Sequence, residues 1–145
     1  MALFNSLNVS ASGMTAQRVR SDIISQNIAN VSTTRDKNGE VYKRKNVVFA
    51  ERDITGFSKI FLRTAGSVGS GVKVTSIYTD DQTPTRMVYD PSHPDANEEG
   101  YVEYPNVTTV QEMTDLIDAS RSYEANITAF NAAKNMALRA LDIGK

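Results

Sequence analysis

The sequence predicts an α+β fold, with long N- and C-terminal helices paired as a coiled-coil-like stem and a small mostly-β insert between them. Three observations carry that expectation. Residues 7–31 and 110–141 are poor in glycine and repeat apolar side chains at steps of three and four. The stretch between them holds short β-branched and aromatic runs punctuated by Gly, Pro, Asn and Asp. Finally, a chain of 145 residues is too short to bury two stripes of that length in a core of its own. The expected division is an N-terminal helix in residues 1–34, a β insert with loops in 35–106 and a C-terminal helix in 107–145.

The N-terminal helix carries two apolar strips. Leu7, Ala11, Met14, Ile24 and Ile28 make one, and Ala16, Val19 and Ile23 make the other. Two strips imply contacts in two directions, and each buried Leu, Ile or Met is worth about 1.5–3 kcal/mol. Gly13 costs about 1 kcal/mol in a helix interior and needs a compensating use. The polar, β-branched run Val31-Ser32-Thr33-Thr34 ends the helix.

In the insert, Asp36-Lys37-Asn38-Gly39 reads as a turn. Val41 to Ala50 reads as a strand whose alternation is broken by Lys43-Arg44-Lys45, expected as a solvated basic face. Phe57 to Leu62 suits a strand or a short helix. Gly66, Gly69 and Gly71 lead into Val72 to Tyr78, whose alternation predicts a half-buried strand. Arg86 to Tyr89 is a further strand, Asp90 to Asn97 a polar turn with two prolines, and Gly100 to Pro105 the return.

The C-terminal helix opens with Thr109 three residues before Glu112, a capping-box spacing. Alternating steps of three and four from Met113 reach Leu116, Ser120, Tyr123, Ile127, Phe130, Lys134, Ala137 and Leu141. Ala119, Ala133 and Ala140 form a small-sided stripe that lets another helix come close. Gly144 supplies the stop. Such a rod is about 50 Å long, more than a compact domain of this mass spans.

Composition narrows the function classes. The chain is 40% hydrophobic and 23% charged with a net charge of -1, so it lacks the concentrated positive field that nucleic-acid binding needs. It has no cysteine, which permits passage through an oxidising compartment. No apolar run of about 18 residues is present, so no direct membrane insertion is expected. Met1 to Val9 lacks the basic and continuous apolar regions of a cleaved secretory signal.

Chemistry is sparse. His93 stands alone between Asp90 and Asp95 without a second spaced histidine or cysteine, so a locked turn explains it better than a metal or catalytic centre. Asp80-Asp81 lacks the donor spacing of a calcium loop. Gly66 to Gly71 superficially resembles a phosphate loop, yet no lysine followed by Ser or Thr closes it. No cofactor is called for, and the chain is not expected to be an enzyme. The unusual feature is asparagine in the terminal segments: Asn27, Asn30, Asn126 and Asn131 are expected to bond across packed helices and fix register. Arg121, Tyr123 and Glu124 suit an interface.

These same residues resemble a known family. Ser12-Gly13-Met14-Thr15-Ala16-Gln17, Asn27-Ile28-Ala29-Asn30-Val31, Val41 to Phe49, Pro94-Asp95-Ala96 with Gly100-Tyr101-Val102, and Ala119-Ser120-Arg121-Ser122-Tyr123-Glu124-Ala125-Asn126 are similar to the flagellar basal-body rod proteins, in their proximal-rod branch. Thr34-Arg35-Asp36 stands where the wider family often has Pro-Gly-Tyr. The resemblance implies a structural subunit of the bacterial flagellar proximal rod that polymerises through its terminal helices and transmits torque. It implies other copies of the chain, other rod proteins and the flagellar export apparatus as partners. It also implies a periplasmic location in the basal body, reached without a cleaved signal peptide.

The residues expected at the assembly interface are Leu7, Ala11, Met14, Ile24, Asn27, Ile28 and Asn30 near the N-terminus. In the C-terminal segment they are Met113, Leu116, Arg121, Tyr123, Glu124, Asn126, Ile127, Phe130, Asn131 and Leu141. The helices alone would equally permit a non-polymeric coiled-coil adaptor with a β head. A small hydrolase centred on His93 is the third reading.

Overall fold

The structure, a computed structural model, describes residues 2–36, 39–52 and 69–143. Along the chain these form α1 (Ala2–Ala29), β1 (Lys45–Glu51), β2 (Val72–Thr79), β3 (Arg86–Tyr89), β4 (Tyr101–Tyr104) and α2 (Thr109–Ile143). The class is α+β, with two long terminal helices flanking a small β insert. The expected element at Phe57 to Leu62, the Gly66 to Val68 part of the glycine-rich loop, Lys37-Asn38 of the first turn and the Gly144 stop lie outside the described residues.

β1 and β2 form one two-stranded sheet, and β3 and β4 form another. Backbone bonds from Arg52 N–H to the Gly71 carbonyl (2.9 Å) and from Asp80 N–H to the Arg44 carbonyl (2.8 Å) flank the first pair and make it antiparallel. In the second, Arg86 faces Tyr104 and Tyr89 faces Tyr101, also antiparallel. β1 starts at Lys45, later than the expected Val41; the Arg44 N–H goes to Asn106 Oδ1 rather than to a neighbouring strand, and Asn27 of α1 takes the Lys45 N–H and carbonyl. The alternation in β2 does not translate into one covered face. Val72 to Val74 are half-buried, whereas Thr75 to Thr79 are all exposed, since alternation supplies cover only where a second layer lies against the ribbon.

The described residues fall into two compact units. One draws on residues 1–19, 48–76 and 119–145, the other on residues 20–47 and 77–118. In the first unit, α1 and α2 meet through small side chains: Ala16, Ala119 and Ala133 are buried. Gly13 lies so close to Asn126 that an added Cβ would sit 2.6 Å from Asn126 Oδ1. That close approach is the use of the glycine, and it offsets its poor helix propensity. Ser12 Oγ donates to the Val9 carbonyl (2.7 Å) and accepts from Val72 N–H (3.0 Å), which ties β2 to α1. Gly71 has φ +93° and stands where a Cβ would strike Ser12 Oγ, so only glycine fits there.

In the second unit the apolar core is Ile23 and Ile24 of α1, Val102 of β4 and Val107. Ion pairing of Arg20 with Asp115 and bonding of Asn27 to Glu112 show the helices running antiparallel there, because α2 numbers fall as α1 numbers rise. The helical ladder of α2 opens with Glu112 N–H on the Thr108 carbonyl (3.0 Å). The expected capping box is corrected: Glu112 turns both carboxylate oxygens away from Thr109, to Asn27 and Arg44.

Candidate functional site

The most ordered polar chemistry is a buried cluster in the second unit. Asn27 is 1% exposed and makes every hydrogen bond an amide offers. Its Nδ2 donates to Glu112 Oε2 and to the Lys45 carbonyl, both at 2.9 Å. Its Oδ1 accepts from Lys45 N–H (3.0 Å) and from the Tyr42 hydroxyl (2.9 Å). Glu112, 0% exposed, takes Arg44 Nε on its other oxygen at 2.6 Å. Arg44 also reaches Asp115 at 3.0 Å, and Asp115 faces Arg20 of α1 at 3.6 Å. The Arg44 N–H donates to Asn106 Oδ1 (2.8 Å), whose Nδ2 donates to the carbonyls of Asp80 and Thr83.

The insert thereby clasps both helices, with Tyr42 and Lys45 on Asn27 of α1 and Arg44 on Glu112 and Asp115 of α2. A buried carboxylate is costly unless paired and hydrogen-bonded, and Glu112 is both. This corrects the expectation of a solvated basic face at Lys43-Arg44-Lys45. Arg44 is turned inward, Lys45 lies over the Tyr42 ring at 5.6 Å, and only Lys43 pairs at the surface, with Asp81 at 2.6 Å. Burial, and then the Glu112 charge, raise the Tyr42 hydroxyl above its ordinary pKa, while the hydrogen bond to Asp81 raises Lys43. Asp80 is lowered by hydrogen bonds from Thr83, and Asp90 by hydrogen bonds from Ser92.

The asparagines divide. Asn27 crosses between helices, whereas Asn30 donates back to the Gln26 carbonyl and Asn126 to the Ser122 carbonyl, each at 2.8 Å. Asn131 is exposed. Within the chain, the cross-helix bond expected of the four asparagines is made by Asn27, while Asn126 packs on Gly13.

The second feature is a row on α2. Val110, Met113, Ile117, Ser120, Glu124, Ile127, Asn131, Lys134, Leu138 and Leu141 follow steps of three and four, and all are exposed. Its six apolar members range from 36% exposed at Ile127 to 74% at Val110. The covered row is Glu112, Leu116, Ala119, Tyr123, Asn126, Phe130, Ala133 and Ala137, alternating small or polar residues with large ones. The row counted from Met113 in the sequence thus straddles both. Leu116, Tyr123, Phe130 and Ala137 belong to the covered row, and Met113, Ile127 and Leu141 to the uncovered one.

The remaining expected interface residues are placed as follows. Ile24 and Asn27 are buried within the chain, and Leu7, Ala11, Met14, Ile28 and Asn30 are half-buried. Arg121 and Glu124 are exposed. Sequence reasoning missed Arg44, Asp115, Tyr42 and Asn106, and it missed Val110, Ile117 and Leu138. The last three were findable, since they stand at heptad steps from Met113 and Leu141.

His93 behaves as a turn residue. Its Nδ1 accepts from Asp95 N–H (3.1 Å), and its ring meets Tyr104 edge-on. Among the described residues no group of three His, Cys, Asp or Glu is placed to hold a metal, and no helix is long and apolar enough to cross a membrane.

Comparison with known proteins matches both ends of the chain. The family described as flagella basal body rod protein matches residues 7–35, and the flagellar basal body rod FlgEFG protein C-terminal family matches residues 98–143. The flagellar basal-body rod protein FlgC of Bacillus subtilis is 52% identical over 100% of both chains. That of Borreliella burgdorferi is 47% identical over 99% of this chain and 98% of its own, and that of Salmonella typhimurium 37% identical over 100% of both. The matched ends are the segments that build the two helices and hold Asn27 and Glu112, and with whole-length identity at this level the chain belongs to the FlgC family of flagellar basal-body rod proteins.

Proposed function

We propose that this chain polymerises through its terminal segments, residues 1–34 and 107–145, in the periplasmic proximal rod, and carries torque there. Family membership makes it a structural, non-catalytic rod component. The observation that supports assembly is the uncovered row of α2, in which six large apolar side chains recur along a 35-residue helix. A stripe of that length left in water favours association, at roughly 25 cal/mol for each Å² of apolar surface covered. The expected interface residues Met113, Ile127 and Leu141, with Arg121, Glu124 and Asn131, lie on or beside this face. The partners in this reading are other copies of the chain, other rod proteins and the flagellar export apparatus, which delivers the chain without cleaving a signal peptide. Many contacts in parallel share a torsional load, and the Asn27–Glu112–Arg44 clasp keeps each subunit from shearing along its own helix pair.

The test is complementation of cells lacking the chromosomal copy with Ile117→Glu plus Leu138→Glu. Loss of motility and of rod assembly, with the helical circular-dichroism signal retained, is expected. Normal rods from this variant would overturn the reading.

A further inference from the structure

The β3–β4 hairpin presents a second uncovered surface. Its register places Arg86, Val88, Val102 and Tyr104 on one face and Met87, Tyr89, Tyr101 and Glu103 on the other. The first face is turned inward at Val102, 0% exposed, and Arg86 lies over the Tyr104 ring at 5.5 Å. The second face is open: Met87, Tyr89 and Tyr101 are 62%, 65% and 41% exposed. It is also preformed. The Tyr89 and Tyr101 rings meet edge-to-face at 5.3 Å, and Tyr89 packs on Gly100, where a Cβ would come within 3.0 Å of its ring. Asn97 Oδ1 accepts from the N–H groups of Glu99 and Tyr101, fixing the adjoining loop. Two tyrosines already in mutual contact beside an exposed methionine have the composition of a docking surface. Its rim carries the exposed acids Glu98, Glu99 and Glu103, of which Glu103 lies near Lys43, while Glu98 and Glu99 extend the rim at the loop.

We propose that this hairpin face docks on the C-terminal half of α2 of a second copy of the chain. This deepens the assembly reading above and rests on it. Charge selects the occupant among the described surfaces. From Thr109 to Ser120, α2 exposes Asp118 and no Lys or Arg, Glu112 and Asp115 being paired within the chain, so an acidic rim finds no counter-charge on that stretch. The outward positions of α1 past Phe4, among them Asn8, Thr15, Arg18, Asp22 and Gln26, are mostly polar and offer little to tyrosine rings. From Ala125 to Leu141, α2 carries Lys134 and Arg139 and no acid, beside exposed Ile127, Leu138 and Leu141. That stretch matches the hairpin in both apolarity and sign. Because the two patches are different surfaces, the contact is head-to-tail and adds subunits in one direction.

The chain has no cysteine, so disulfide trapping has a clean background. Full-length Tyr101→Cys and Leu138→Cys proteins, each checked by circular dichroism, are mixed under mild oxidation; Met87→Cys serves as a second hairpin probe. A mixed cross-linked dimer is expected, falling about tenfold with Glu103→Lys in the hairpin partner and returning when Lys134→Glu is added to the helix partner. If neither hairpin probe joins Leu138→Cys while Ile117→Cys copies cross-link to one another, the docking is wrong and assembly through α2 stands. If no pair cross-links at any concentration, both readings fall.

Discussion

Asn27, Glu112 and Arg44 fix the register of the two helices in the second unit, and each bonds to at least one of the others. Glu112→Ala leaves the Arg44 guanidinium without its 2.6 Å partner and one Asn27 donor unmet. Asp115 still pairs with Arg44, so a loss of about 2–3 kcal/mol in urea unfolding is expected. Tyr42→Phe removes one hydrogen bond to Asn27 and costs about 1 kcal/mol. Because the Tyr42 pKa is raised in the fold, its neutral hydroxyl is the favoured form. Its contribution is whole below the ordinary tyrosine pKa of about 10 and is lost as pH rises through the folded value. Alkaline titration of stability will show that loss in the parent and not in Tyr42→Phe. Asp80 behaves in the opposite sense, since its pKa is lowered by Thr83. Its contribution is present above the ordinary aspartate value and is lost as pH falls through the folded one, and Thr83→Val will move the Asp80 titration upward by NMR. Of this cluster only the cross-helix role of Asn27 was legible in the sequence. Its members lie tens of residues apart, Glu112 sits at a capping spacing, and Arg44 sits in a basic triplet whose simplest local reading is solvent exposure.

The elements themselves were easier to read. Both helices, β2, β3 and the turn around His93 follow from periodicity and from Pro and Gly placement, because those signals are local. What local signals cannot say is which side of a long helix is covered. Counting large apolar residues on α2 mixed two rows, because the covered one alternates Leu116, Tyr123 and Phe130 with small or polar partners such as Ala119, Asn126 and Ala133. Close helix contact needs those small positions, and a search for large side chains passes over them. Gly13 illustrates this. In isolation Gly13→Ala should stabilise a helix by about 1 kcal/mol. Here the added methyl meets Asn126 Oδ1 at 2.6 Å, so thermal unfolding will show a lower Tm. Adding Asn126→Ala will recover part of that loss, and a coupling energy near zero in the double-mutant cycle would contradict the packing assigned to the pair.

At the scale of the whole molecule, a chain with net charge -1 and two long helices keeps a row of six large apolar side chains of α2 in water, together with a tyrosine-rich hairpin face. A subunit built to act alone would not gain from either surface, whereas a rod subunit needs uncovered faces that meet only in the assembly. The clasp holds the helix pair in one register, and the two surfaces give it neighbours. The most direct measurement is a cryo-EM map of the isolated basal body with this sequence traced through it. Val110, Met113, Ile117, Ile127, Leu138 and Leu141 are predicted to lie covered by neighbouring chains, with the Asn27–Glu112–Arg44 clasp intact in each subunit. A rod in which that row of α2 faces solvent would contradict the account.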